Sequence, residues 1–387
     1  MRGPLAAGLA AAAILAGGCG GQRTPAAATV ARDVSAAVRL CVPAEGGSYD
    51  QAQTCLQRRL LAIVDEGPSA DELPLIDAAA RRDGGFLLEN CHIMMHWVGR
   101  NYAIAHRVSL GTLQHYLPAS GDPGCSAGFA HGLISALAPA IRALDPASVA
   151  ATCAQSPTRY EQYSCVHGLG HAYMRAYGED LPVALRMCAR LPRADVADCG
   201  QGAFHDLWFA ETGADNLALV PRVAPRALCA RQARVFVLPC WYRALAEWPP
   251  PHPLAQAHDA VVVCAGLHGL QRAGCIAGAS VVIEGGNPTR QLAGCATLDA
   301  ADAAACVRGV STQSLLGAPP SAGVRLLGGC DRFAAARGAC LRWIAMTLNV
   351  VDDGRFLAAG CPQARPPDRS ACRAGAAAWR GPLETFS

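Results

Sequence analysis

The chain is predicted to be all-α, a right-handed α-solenoid of helix hairpins in which each hairpin is stapled by a disulfide. Three observations carry this reading. Cysteines recur in couples about eleven residues apart: Cys41/Cys55, Cys153/Cys165, Cys188/Cys199, Cys229/Cys240, Cys264/Cys275, Cys295/Cys306, Cys330/Cys340 and Cys361/Cys372. From Cys153 onward the couples restart every 31 to 41 residues. Around each couple the apolar residues recur at helical spacing, with no alternating strand pattern of comparable regularity. Alanine, the strongest helix former, is abundant.

The N-terminus reads as an export signal. Arg2 precedes an apolar run from Leu5 to Gly18, too short to remain as a membrane span. The run ends Leu15-Ala16-Gly17-Gly18-Cys19, which resembles a bacterial lipoprotein signal in which Cys19 is lipidated and becomes the first mature residue. Ala16 stands where that motif prefers leucine. Residues 1–18 are therefore expected to be removed, residues 19–32 to form a flexible tether, and residues 33–387 to fold as one helical-repeat domain. The resemblance implies an exported protein anchored by lipid in the bacterial cell envelope.

With Cys19 set aside, the cysteine count is even, which in an exported chain favours disulfides. No CxxC occurs, so zinc knuckles, thioredoxin-type redox pairs and c-type haem attachment lack their signature. The chain contains no lysine, which excludes Schiff-base chemistry and a P-loop lysine. Net charge is +3 with scattered arginines, so nothing argues for nucleic acid. A repeat array also explains how so long a chain can lack separate domains, since each unit packs only on its neighbours.

The segment Leu181 to Ala210 shows the grammar of one unit. An apolar helical stretch runs into Cys188, a polar connector carries Pro192, and a second helical stretch follows Cys199 with Ala203, Phe204, Leu207 and Trp208 on one face. The first cysteine should close helix A and the second should open helix B. Each such bond is worth about 2–3 kcal/mol by the loop-entropy account. Glycine recurs three places after the second cysteine, at Gly128, Gly168, Gly202, Gly278, Gly309 and Gly375. Because Gly inside a helix costs about 1 kcal/mol against Ala, close approach of neighbouring backbones is expected there. Stapled hairpins of this length resemble the cysteine-rich branch of the Sel1-like and tetratricopeptide repeat proteins. The resemblance covers roughly Ala36 to the C-terminus and implies architecture alone, because the cysteines here lie further apart than in that family.

The histidines mark where the repeat is modified. Six of the eleven lie in the motifs of one modified block, CHIMMHWVG, CSAGFAHG, CVHGLGHAY and CGQGAFHD. His131, His171 and His205 each stand six residues after the second cysteine of a unit; later units carry Ala246, Val281, Thr312, Met346 and Ala378 there. His92/His96 and His167/His171 are i,i+4 pairs, each on one helix face, the spacing by which one helix presents two metal ligands. Equivalent residues on stacked helices, about 8–10 Å apart, can reach one ion. His92, His96, His131, His167, His171 and His205 are therefore predicted to converge on a transition metal, for which imidazole suits zinc, copper or iron. Glu89, Asp206 and Glu211 are candidates to orient these ligands or act as an acid or base. His106, His115, His252, His258 and His268 read as ordinary core or surface residues. Cys91 and Cys125 pair by elimination, and residues 220–387 read as structural repeats beyond the functional block at 90–210.

The block CHxxxHxxG, CxxGFxHG, CxHGxGHA, CxxGxF also resembles a set of exported bacterial and archaeal proteins. That resemblance supports grouping these residues and implies no reaction. Three functions fit the sequence: a groove holding a histidine-bound metal or small ligand, a metalloenzyme using the same histidines, and a scaffold whose concave face grips an envelope protein.

Overall fold

The computed structural model describes residues 24–377 apart from segments 43–47, 66–68, 119–123, 157–158, 209–223, 248–253, 284–286, 313–319, 352–357 and 359. The signal segment, Cys19, Glu211 and His252 lie outside the described residues. Among those described there is no strand; helices follow one another along the whole chain.

The short A helices are punctuated as their sequences require. Pro146–Cys153, Leu181–Cys188, Pro225–Cys229 and Pro288–Cys295 each place a proline in the first turn and end on the first cysteine of a couple. Proline suits that turn because its missing N–H has no intrahelical partner to lose. Asp145, Asp180 and Asn287 cap three of them by accepting backbone N–H groups. Thr24–Cys41 also ends on its cysteine, and Cys264 directly follows Ala257–Val263. Cys330 and Cys361 instead open single 3-10 turns.

The B helices correct the expectation that the second cysteine opens them. Each helix starts ahead of that cysteine, which therefore sits inside it. Cys55 lies within Tyr49–Asp65, Cys165 within Arg159–Ala176, Cys199 within Val196–Trp208 and Cys240 within Arg234–Glu247. Likewise Cys275 lies within Gly269–Val282, Cys306 within Ala300–Thr312, Cys340 within Arg337–Val351 and Cys372 within Arg369–Ala377. The reason is local. The residues just ahead, such as Val196-Ala197-Asp198 and Ala303-Ala304-Ala305, are themselves compatible with helix, and an acidic residue in the first turn suits the helix dipole. Cys125 alone meets the expectation, opening Cys125–Ala136.

Among the described residues nine disulfides are formed. Eight join the predicted couples: Cys41–Cys55, Cys153–Cys165, Cys188–Cys199, Cys229–Cys240, Cys264–Cys275, Cys295–Cys306, Cys330–Cys340 and Cys361–Cys372. The ninth, Cys91–Cys125, does not pin a hairpin. It ties two long helices side by side, Gly85–Ala105 and Cys125–Ala136. The Cys188–Cys199 bond spans a sequence separation of 11; replacing both cysteines with alanine should lower the unfolding free energy by about 3 kcal/mol. Urea melts of the two proteins check this.

Each B helix packs on the next, from Gly85–Ala105 through Cys125–Ala136, Arg159–Ala176, Val196–Trp208, Arg234–Glu247, Gly269–Val282, Ala300–Thr312 and Arg337–Val351 to Arg369–Ala377. Glycine sets the spacing. A Cβ on Gly128 would lie 1.9 Å from the carbonyl oxygen of His92, and one on Gly202 would lie 1.9 Å from that of His167. Helix backbones therefore touch where the sequence repeats glycine. Gly168 departs from this, facing the Ile134 side chain at 2.9 Å.

The array also curls, so that Arg337–Val351 touches Arg159–Ala176. Cys125–Ala136 packs between Gly85–Ala105 and Arg159–Ala176, with Ser69–Asp83 also against it, and is buried from Cys125 to Ser135. The expected open groove along these helices is consequently replaced by a filled core.

Candidate metal centre

Four B helices bring the six histidines into this core. His92 and His96 come from Gly85–Ala105, His131 from Cys125–Ala136, His167 and His171 from Arg159–Ala176, and His205 from Val196–Trp208. Each ring centroid lies within 6 Å of at least three of the others; His131–His167 is 4.7 Å and His96–His171 is 4.9 Å. Five of the six are no more than 4% exposed, and His92 is half-buried. Four of the histidines read as ordinary stand apart from the cluster: His106, His115, His258 and His268 are exposed, and His106 pairs with Asp65 at 2.6 Å.

Hydrogen bonds at the rim of the cluster fix where the lone pairs point. His92 Nδ1 lies 3.2 Å from the Gly124 carbonyl oxygen. A carbonyl can only accept, so this nitrogen carries the proton and Nε2 offers a lone pair. His171 Nδ1 lies 3.0 Å from Asp206 Oδ1, and His205 Nε2 lies 3.4 Å from Glu247 Oε1. By the same logic His171 Nε2 is a lone-pair nitrogen; the Glu247 contact assigns none on His205, because a carboxyl pushed up to about 7 can itself carry the proton. A metal-ligating histidine is ordinarily held in this way, its second ring nitrogen donating to a carboxylate or backbone carbonyl.

Inside the rim the nitrogens approach one another. His96 Nε2 is 3.2 Å from His92 Nε2 and 3.3 Å from His131 Nδ1. One N–H cannot serve both neighbours. His167 Nε2 is 3.1 Å from His205 Nδ1, while His167 Nδ1 is buried with no hydrogen-bond partner. His131 Nε2 meets the Ser164 hydroxyl at 3.0 Å. Ser164 also lines a small surface cleft with Leu117, Pro118, Ala127, Ala130, Tyr160 and Glu161.

Electrostatics favour the neutral form, the one that binds metal, in three of the rings. Burial holds His131, His167 and His205 well below the usual imidazole range, helped by His167 for the first and by Arg243 for the other two. Burial also pushes the Glu247 carboxyl up to about 7 against the pull of Arg243, which donates to it at 2.6 Å. Asp77 is likewise pushed up by burial, to about 6; it caps Cys125–Ala136 by accepting from the backbone and hydroxyl of Ser126.

These shifts set a pH dependence for the metal-free protein. The depressed imidazoles stay neutral in the fold but take up protons once unfolded, so their contribution is complete above about pH 6.5 and shrinks on acidification. The raised carboxyls act oppositely, because the fold holds their protons more tightly than the unfolded chain does. Three imidazoles outweigh two carboxyls, and unfolding free energy should fall by about 1–2 kcal/mol from pH 6 to pH 5. Denaturant melts in the presence of chelator check this.

Of the three predicted carboxylates, Asp206 meets the cluster and Glu89 does not. Glu89 is exposed, one turn ahead of the half-buried His92 at the outer end of the cluster. Sequence reasoning missed Ser164, Arg243 and Glu247. The signal for Glu247 was available, since it stands seven residues after Cys240 as Asp206 stands seven after Cys199. Residues 220–387 are thus not structural throughout, because Arg234–Glu247 supplies a partner to His205.

The architecture is a cysteine-rich helical repeat. No known protein family, curated protein or solved structure matches the chain.

Proposed function

We propose that this is an exported metal-binding protein whose enclosed histidine cluster holds a transition-metal ion, tethered to the bacterial envelope through Cys19. One observation carries the metal reading. His92 Nε2, His96 Nε2 and His131 Nδ1 are separated by 3.2 and 3.3 Å along two of their three edges, and all three lie within 4.8 Å of one another. Ligands about 2.0–2.1 Å from a tetrahedral ion stand about 3.3–3.4 Å apart. Histidine donors with no thiolate suit zinc, copper or iron.

Export is supported by nine disulfides, which persist in oxidising compartments, and by the lipoprotein-like run ending at Cys19. The motif resemblance noted in the sequence points the same way. No described helix is long and apolar enough to cross a membrane, so attachment through a lipid at Cys19 accounts for envelope location in this reading.

Elemental analysis of untagged protein purified from the periplasm tests the metal. At least one equivalent of zinc, copper or iron per chain is expected. Protein that contains none, and takes up none when each ion is supplied, overturns the proposal. Radiolabelled fatty acid should enter the wild-type protein and not Cys19→Ala; equal labelling of both rejects the anchor.

A further inference from the structure

The three histidines proposed to hold the ion do not present the same atom. His92 and His96 approach through Nε2, whereas His131 approaches through Nδ1. A neutral imidazole has one lone pair, so His131 can offer Nδ1 only while its Nε2 carries the proton. The group that meets that nitrogen is the Ser164 hydroxyl, at 3.0 Å. We propose that Ser164 is a positioning residue for the metal: by accepting a hydrogen bond from His131 Nε2 it stabilises the tautomer that turns the His131 lone pair toward His92 and His96. This rests on the metal-binding reading above.

The fold places the hydroxyl for that task. Ser164 stands three residues before His167 and seven before His171, so it shares their face of Arg159–Ala176. The next residue, Cys165, is bonded to Cys153, which pins this turn of the helix. One turn on, a Cβ added to Gly168 would lie 3.5 Å from His131 Cα, so the two helices come close beside that histidine.

Burial raises the stakes of the contact. His131 and Ser164 are each 4% exposed, and a buried N–H left without an acceptor is costly. A serine inside a helix commonly bonds back to a carbonyl one turn earlier; here, among the described residues, the hydroxyl bonds to His131 instead. A hydroxyl accepts as readily as it donates, and an ion on His131 Nδ1 leaves it the accepting role. His131 is also common to both groups of three histidines whose nitrogens lie within 4.8 Å of one another, so its tautomer bears on the whole cluster.

The test compares zinc(II) binding by chelator-treated, full-length Ser164→Val and Ser164→Thr. Valine and threonine add the same bulk and differ in the hydroxyl, so any effect of packing cancels between them. Zinc affinity is expected to be about 10–100-fold weaker in Ser164→Val than in Ser164→Thr. Nitrogen-15 NMR of the zinc-loaded parent should place the remaining ring proton of His131 on Nε2, a signature that packing alone would not set. Equal affinity in the two variants, or a proton on His131 Nδ1 in the loaded parent, overturns the role of Ser164 while the metal reading stands. A parent that takes up no zinc overturns this proposal, and one that takes up none of zinc, copper or iron overturns the metal reading with it. The NMR assignment decides even where both variants fail to fold.

Discussion

Replacing His96 and His171 together with alanine is expected to weaken metal binding by at least ~100-fold while all nine disulfides still form. The comparison is with loss of an outer partner, which alone weakens binding about 10–100-fold; removing a direct ligand takes away a bond itself. His96 touches both His92 and His131, and His171 carries the contact to Asp206, so the pair strips one ligand from each half of the cluster. The second change also deprives a buried carboxylate of a donor, which costs about 1–3 kcal/mol of stability. Equilibrium dialysis with zinc and non-reducing peptide mapping separate the two effects. Parental affinity in the double variant would remove the histidines from the site and leave a scaffold as the better account.

A comparable loss is expected from a change that removes no ligand. Gly202→Ala places a methyl 1.9 Å from the His167 carbonyl oxygen, and backbone has nowhere to yield on either side. Overpacking of this kind costs about 1–3 kcal/mol or more. Relief must separate Val196–Trp208 from Arg159–Ala176, which carries His205 away from His167. Both the melting temperature and zinc affinity should fall. Gly338→Ala is the control, because its added methyl meets nothing within 4 Å and should be neutral or stabilising by about 0.5–1 kcal/mol. Equal behaviour of the two variants would show that the glycine contacts do not hold the helices in register.

The hairpins were legible because cysteine, proline and glycine each act locally. Asp145-Pro146 starts a helix and Cys153 ends it without help from distant residues. The start of helix B was less legible, because the residues ahead of Cys275 or Cys306 carry no proline to mark it. The histidines were legible because three of them repeat at one register and two pairs share a helix face. Other features depend on the fold. Glu89 and Asp206 look alike in sequence, and only the packing of the helices decides that the first is exposed and the second buried. The burial of the histidine faces comes from helices far apart in sequence, Ser69–Asp83 against Cys125–Ala136 among them, which no local signal encodes; hence a groove was expected where a core is found. Glu247 was passed over because its unit lacks the aligned histidine, although it keeps the register of Asp206.

The Cys91–Cys125 bond has a consequence for the order in which the proposed centre assembles. It fastens the helix bearing His92 and His96 to the helix bearing His131, across a separation of 34 residues. Where thiols are kept reduced that fastening is missing, and only the glycine contacts at Gly128 and Gly132 hold the two helices together. Under the proposed metal binding, forming this bond would set His92 and His96 beside His131 before any ion arrives, so oxidation of the chain and assembly of the centre would be linked steps.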